Sequence, residues 1–337
     1  MPDWLLYTGS RRTHDGVDRL PPPPPWRAFD GGPVLPAPSG GSGNTHQATT
    51  YRPSDDAVQQ VNAALYLRRP LLVTGPPGTG KSTLAYAVAH ELGLGPVLHW
   101  PITSRATLRD GLYQYDPLTR LYAAGREVGG GPAEDEDIGR YIRLGPLGTA
   151  LLPYGRPRVL LVDEIDKSDI DLPNDLLTIF EKGEYEIPEL TRRAEPDAEV
   201  LTADGSGGAP TRRDGGPGGR VTVRGGTVRC SAFPLVVMTS NGEREFPPAF
   251  LRRCVTVELR QPAGEAELAA IVREHLGPLA GEGEDLVRLF LRRAGGGTLA
   301  TDQLLNAVYL CRHADATDRR ELADRIMPYL AGAADDD

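Results

Sequence analysis

The chain has 337 residues, enough for about two domains, and 37 basic against 46 acidic side chains give it a net charge of −9. That balance excludes a generally basic surface of the kind that tracks nucleic acid. Its 40 glycines and 31 prolines well exceed the usual share of about 12%, so long stretches are expected in loops. Apolar runs such as 71–73 and 159–162 are strand-sized, far below the ~18 residues of a membrane span. The first residues lack a basic start followed by an apolar core, so no signal peptide is expected. Cys230, Cys254 and Cys311 form no CxxC pair, which argues against a disulfide framework or a zinc site. The expectation is a soluble cytoplasmic protein.

Residues 1–50 hold 7 Gly and 9 Pro, including the run Pro21 to Pro25. Such a segment buries too little apolar surface to offset its ordering entropy, and it is expected to be mostly disordered, with polyproline II character at the proline run. Trp4, Leu5, Leu6, Trp26 and Phe29 are its candidates for docking on the body or on a partner. Order is expected from Tyr51. Ser54, Asp55 and Asp56 signal a helix start, and Val58, Val61, Ala64, Leu65 and Leu67 follow at helical spacing up to Pro70. Residues 71–74 read as a buried strand, 75–82 as a glycine-rich loop, 82–92 as a helix and 97–100 as a strand. The stretch 103–145 reads as an insertion of short helices and a loose loop that includes the Gly- and acid-rich run 129–137. A helix at 147–152, a buried strand at 158–163 and a helix at 172–182 come next. Residues 186–226 hold 9 Gly and 4 Pro between strand-like ends, predicting a hairpin whose tip at about 195–219 is disordered. A strand at 235–239, a short helix at 247–253 and a strand at 255–259 complete this part. Beyond Pro262 only helices are expected, at 265–275, 284–293, 301–313 and 319–330. Alternating strands and helices followed by helices alone predict an α/β domain over 51–260, with insertions at 103–145 and 184–230. A helical domain over 261–331 and an acidic tail at 332–337 follow it.

Lysine occurs only three times, at Lys81, Lys167 and Lys182, against 34 arginines. Lys81 closes the run Gly75-Pro76-Pro77-Gly78-Thr79-Gly80-Lys81-Ser82, which matches G-x-x-x-x-G-K-[ST]. Glycines let such a loop turn its backbone N–H groups towards phosphate oxygens, and the helix that follows points its positive end at the same anion. With Thr83 behind it, this loop is the expected phosphate site. Lys81 would neutralise β- and γ-phosphate charge, and the Ser82 hydroxyl would ligate Mg²⁺. The strand ending in Asp163 and Glu164 presents two acids at the carboxyl end of a buried strand, where ligands of parallel sheets bind. Asp163 is expected to hold Mg²⁺ and Glu164 to act as base or orienter for an attacking water. Asn241, at the tip of another apolar strand, is expected to place that water or touch the γ-phosphate. Arg252 and Arg253, at the end of a short helix, have the position of an arginine finger, which stabilises transition-state charge from a neighbouring subunit.

These four elements, in this order, resemble the AAA+ ATPases. The segment FPLVVMTSNGEREFPPAFLRRC (233–254) and the stretch DEIDKSDIDLPNDLLTIFEKGEYEI (163–187) are most similar to the MoxR-like branch, whose relatives include dynein-like and McrB-like proteins. The resemblance covers 51–330. It implies a P-loop NTPase core with a parallel sheet and flanking helices, a small all-α lid, ATP with Mg²⁺ as ligands, and a homo-oligomeric ring, usually of six. It further implies that ATP turnover remodels a protein partner, often one with a von Willebrand A domain. One position departs from the pattern: Asp302 stands about where the lid arginine of the family is expected.

Two other readings stay open at this point. One is a nucleotide-gated scaffold or switch that turns ATP over slowly or not at all, which Asp302 favours. The other is a GTP-driven or nucleic-acid-directed motor. Against it stand the acidic total and the segment 262–337, with 8 Arg against 14 acidic residues.

Overall fold

The computed structural model describes residues 4–38, 44–126, 138–193, 197–204, 219–262, 264–277, 284–294, 300–311 and 325–327. The run 129–137, the acidic tail, most of the last expected helix and, of the expected disordered hairpin tip at 195–219, residues 195–196 and 205–218 lie outside the described residues. The expectation of disorder is corrected at Ala198–Leu201, a strand paired antiparallel with Arg220–Val223.

In chain order the elements are α1 (Thr45–Thr50), α2 (Asp55–Leu67), β1 (Leu71–Thr74), α3 (Lys81–Glu91), β2 (Leu98–Pro101), α4 (Leu108–Leu112), β3 (Tyr113–Tyr115) and α5 (Pro117–Arg126). Then come β4 (Ile142–Leu144), α6 (Pro146–Ala150), β5 (Val159–Asp163), α7 (Leu172–Lys182), β6 (Glu184–Glu186), α8 (Pro188–Thr191), β7 (Ala198–Leu201), β8 (Arg220–Val223) and β9 (Thr227–Arg229). The last are β10 (Leu235–Ser240), α9 (Pro248–Leu251), β11 (Val255–Glu258), α10 (Glu265–Leu276), α11 (Glu284–Ala294) and α12 (Thr301–Cys311).

The central sheet is parallel throughout, in the order β11-β1-β10-β5-β2. Strands covered on both faces read as continuous apolar runs, and β10 is buried at all six positions. One face packs against α2 and α3 through Val61, Leu65, Leu84 and Val88; the other packs against the insertions and α7 through Leu147, Leu176 and Phe180. The helices α10 to α12 close a separate core around Leu268, Phe290 and Leu304.

The insertion at 103–145 holds two strands that sequence reading assigned to helix and loop. β3 and β4 pair antiparallel, and β4 joins β7 and β8 of the hairpin in a four-stranded sheet. At three residues each, β3 and β4 are too short for an alternating pattern to register. The outer hairpin strands, β6 and β9, pair separately.

The expectation that residues 1–50 are mostly disordered is corrected. Leu5, Leu6, Tyr7 and Val17 are buried in the core beneath α2 and α3, and α1 lies against α3. The segment builds no core of its own; it adds a few apolar side chains to one that exists. Its backbone is satisfied by polar side chains buried for that purpose. Asn62, fully buried on α2, accepts from the backbone N–H of Leu6 at 2.6 Å and of Tyr7 at 3.1 Å, and donates to the carbonyls of Tyr7 and Val58 at 2.7 Å each. Glu91, fully buried at the end of α3, accepts from the N–H of Thr8 at 2.6 Å and of Arg11 at 3.0 Å, and from the Thr8 hydroxyl at 2.9 Å. Further along, Phe29 stacks on Phe233 with ring centroids 5.1 Å apart. The segment is thus a belt around the α/β domain.

Orphaned buried backbone groups cost about 1–3 kcal/mol each. Asn62→Ala should therefore lower the stability of the chain by about 3 kcal/mol or more in urea unfolding, and should speed tryptic cleavage after Arg11 and Arg12. Unchanged stability and cleavage would show that the belt does not depend on this side chain.

Candidate nucleotide site

The carboxyl ends of β1, β10 and β5, three neighbouring parallel strands, bring most of the expected residues together. The loop Gly75 to Gly80 leaves β1 and enters α3 at Lys81. All three of its glycines have positive φ and leave no room for a Cβ. Gly78 has φ +75°, and a Cβ there would lie 2.6 Å from the Cβ of Ala300 and 2.8 Å from the Thr301 nitrogen. Gly80 has φ +84°, and its Cβ would lie 2.8 Å from the Tyr51 ring. The loop is therefore pressed between α12 of the helical domain and the residue ahead of α2. The Thr79 hydroxyl donates to the Pro76 carbonyl at 2.9 Å, and Thr83 is half-buried in the first turn of α3.

Lys81 is buried, and its ammonium donates to the carbonyls of Gly75 at 2.8 Å and Pro76 at 2.9 Å. Burial lowers its pKa, against the pull of Asp166, Asp163 and Glu164. Ser82 Oγ donates to Asp163 Oδ1 at 2.7 Å. Thr239 Oγ1 donates to the same oxygen at 2.6 Å, and His99 Nε2 lies 3.3 Å from Oδ2. Burial alone would raise the Asp163 pKa; the bonds from His99, Thr239 and Ser82 outweigh it and hold it at about 2.

Glu164 follows in the left-handed region at φ +61°. Its backbone N–H donates to Thr239 Oγ1 at 2.8 Å, and its carboxylate pairs with Lys167 Nζ at 2.8 Å. Asn241 is half-buried just beyond β10. Its backbone N–H donates to Asp166 Oδ2 at 2.8 Å, as does that of Glu243 at 3.2 Å. Asp166 is 4% exposed, and sequence reading missed it. The only signal was its position, two residues after Glu164, in the turn that leads away from β5. Arg244 donates to the carbonyls of Asp166 and Ser168, so the Asn241 loop and the Glu164 turn are tied as one unit.

Arg252 and Arg253 do not join this group. They precede β11, whose first residue Val255 pairs with Leu71, so they sit at the opposite end of the strands from the loop. Arg253 pairs with Glu181 and donates to the Ala249 carbonyl at 3.1 Å. Arg252 is exposed, and its backbone carbonyl accepts from Arg69 Nη1 at 3.3 Å. Asp302 is exposed in the first turn of α12.

The donor set fits a hard divalent cation. Ser82 and Asp163 offer oxygen only, and among the described residues no group of three or more His, Cys, Asp or Glu forms a metal cage. One carboxylate with one hydroxyl, beside a loop shaped for phosphate, suits Mg²⁺, which keeps several waters and shares phosphate oxygens. Among the described residues no helix is long and apolar enough to cross a membrane.

Asp163 supplies a measurable pH dependence to the nucleotide-free protein. Its folded pKa lies below the unfolded value, so its contribution is complete above about pH 4 and is lost as pH falls towards 2. The difference in unfolding free energy between the native chain and Asp163→Asn should shrink by about 1–2 kcal/mol between pH 5 and pH 2. A difference independent of pH would mean that the hydrogen bonds do not hold the carboxylate ionised.

A family model for AAA domains of the dynein-related subfamily matches residues 70–254, more than half of the chain. Among solved structures the chain is similar to the RuvB Holliday junction branch migration motor of Thermotoga maritima, at 14% identity and a TM-score of 0.39, over 81% of this chain and 68% of RuvB. A point variant of the same RuvB gives 13% and 0.39, over 80% of this chain and 65% of that one. NtrX from Brucella abortus, in complex with ADP, gives 15% and 0.37, over 86% of this chain and 58% of NtrX. The chain thus spans about two thirds of the RuvB chains and less of NtrX. With its parallel α/β sheet, P-loop and matched span of 70–254, this chain belongs to the dynein-related subfamily of AAA domains.

Proposed function

We propose that the protein is an Mg²⁺-dependent ATPase of the MoxR-like kind, which assembles into a ring and uses ATP turnover to remodel a protein partner. The observation that carries this reading is the convergence of the P-loop, the Asp163–Glu164 pair and the Asn241 loop at the carboxyl ends of three adjacent parallel strands. In it, the backbone N–H groups of the loop and Lys81 bind the phosphates of ATP. Ser82 and Asp163 hold Mg²⁺, which when bound neutralises phosphate charge. Glu164 accepts the proton of the attacking water, and Asn241 orients that water. Glu164 pairs with Lys167, so taking up this role requires that ion pair to open.

The position of the arginines supports assembly. Both lie at the far end of the sheet from their own P-loop, so the pocket that either completes belongs to a neighbour. Arg253 is committed to Glu181 and Ala249, which leaves Arg252 as the finger. The family membership says nothing about the client, and a von Willebrand A domain protein is carried into this proposal from the resemblance alone. The slow-switch reading keeps one supporting observation. Asp302 puts an acid near the P-loop, in the helix whose start touches Gly78.

Four variants test the reading. Lys81→Ala should lose binding of a fluorescent ATP analogue. Glu164→Gln should bind it and lose turnover. Arg252→Ala should bind ATP yet lose turnover by about 10³-fold or more, whereas Arg253→Ala should lose less. Mixing Arg252→Ala with Lys81→Ala should restore part of the activity, because an intact finger then meets an intact pocket. Binding by Lys81→Ala would remove the P-loop assignment. Turnover independent of protein concentration, with no rescue on mixing, would remove the ring. Full ATP binding with negligible turnover by the native chain at every concentration would favour the switch.

A further inference from the structure

The most exposed aromatic side chain among the described residues of the belt has no role in the site. Trp26 is 76% exposed and ends the proline run, which is fastened on the surface. Arg68 donates to the Pro21 carbonyl, and Arg27 donates to the Arg68 carbonyl. The Arg27 guanidinium also lies over the Phe233 ring, 4.9 Å from its centroid. Proline fixes φ and lacks an N–H, so this rod is presented at little conformational cost. Arg69, next to Arg68, reaches the Arg252 carbonyl. Next to Arg27, Trp26 is thus fastened on the face of the domain at the start of β1, the end of the sheet where Arg69 and Arg252 sit and where Leu67 and Leu251 are also exposed. The face has apolar side chains set among arginines.

A second face has the opposite charge. Asp169, Asp171 and Glu243 are exposed around Ile170, itself 61% exposed. Beside Ile170 is a hollow of about 240 Å³, lined in part by Pro173, Arg244, Phe246 and Pro247. This face borders the Glu164 turn at the start of α7, whereas Glu181, paired with Arg253, is near the helix's other end. Eleven residues of helix separate the two by about 16 Å. Complementary charge and apolar content on two unlike faces of one chain is what a head-to-tail contact between copies requires.

We propose that the Trp26 face of one copy docks on the Ile170 face of a second copy, with Trp26 as the apolar anchor of the contact. A buried Trp contributes 150–250 Å² of contact, about the largest of any side chain, and here the backbone that carries it is fastened by Arg27 and Arg68. The inference rests on the reading of Arg252 as a finger acting in a neighbour: docking the basic face on the acidic one carries Arg252 towards the neighbour's Glu164. The belt then belongs to the assembly as well as to the fold.

Sedimentation velocity of the full chain with Mg²⁺ and a slowly hydrolysed ATP analogue tests it. The native chain should assemble, and Trp26→Ala and Ile170→Asp should each raise the concentration needed by about tenfold or more. Both should keep native ATP binding and melting temperature, since neither side chain packs in the core. An equimolar mixture of the two should associate more strongly than either alone, because each retains one intact face. Trp26→Ala that assembles like the native chain, while Arg252→Ala still loses turnover, would overturn this inference and leave the finger standing. A native chain that stays monomeric with nucleotide at all concentrations would overturn both.

Discussion

The Asp163 carboxylate holds the site in place. It is half-buried, and its two oxygens receive hydrogen bonds from Ser82 on α3, Thr239 on β10 and His99 on β2. Four elements distant in sequence are thereby joined at one point at the carboxyl end of the sheet. Desolvation works against the charged form, and the donors win because each would otherwise be left short of an acceptor. Thr239 extends the influence of this group. Its hydroxyl donates to Asp163 and accepts from the Glu164 N–H, so the left-handed backbone at Glu164 is held by the same cluster. A non-glycine residue at φ +61° is strained unless its surroundings over-determine it, and here they do.

Asp166 repeats the device one turn later. A fully desolvated carboxylate is costly, and this one accepts from two consecutive parts of the Asn241 loop. The turn after β5 and the loop after β10 therefore move together. The pair of acids thus orders the backbone around Glu164 and Asn241, while those two side chains stay accessible. Above them, Gly78 touches the start of α12, so the helical domain senses the shape of the P-loop through direct contact.

Sequence made the carboxyl end of the sheet legible because its signals are short and local. A loop that wraps phosphate needs glycines at fixed spacing, and buried parallel strands such as 71–74, 159–163 and 235–240 read as unbroken apolar runs. The separation of a helical C-terminal part was equally visible. What stayed hidden depends on partners far away in the chain. Asp166 looks like one acid among several in DEIDKSDID, and only its burial under the Asn241 loop marks it out. Asn62 and Glu91 look like ordinary polar positions on amphipathic helices until Leu6, Tyr7 and Thr8 arrive. The belt itself was misread because composition measures what a segment can bury alone. It does not measure what a segment can add to a core built by others. The short strands β3 and β4 failed for a related reason, since three residues find their pairing only in the assembled sheet.

The belt also sets an order of events during synthesis. Residues 5–8 are made more than fifty residues before their acceptors and donors on Asn62 and Glu91. Phe29 waits longer still, for Phe233. Until then the segment is an open chain of prolines and glycines, poor in β-branched residues and therefore a weak nucleus for aggregation. Closing loops of such length costs entropy that grows only slowly with each added residue, so the delay adds little to the equilibrium cost of docking. It does mean that residues 5–8 find their place only after α2 and α3 have been made.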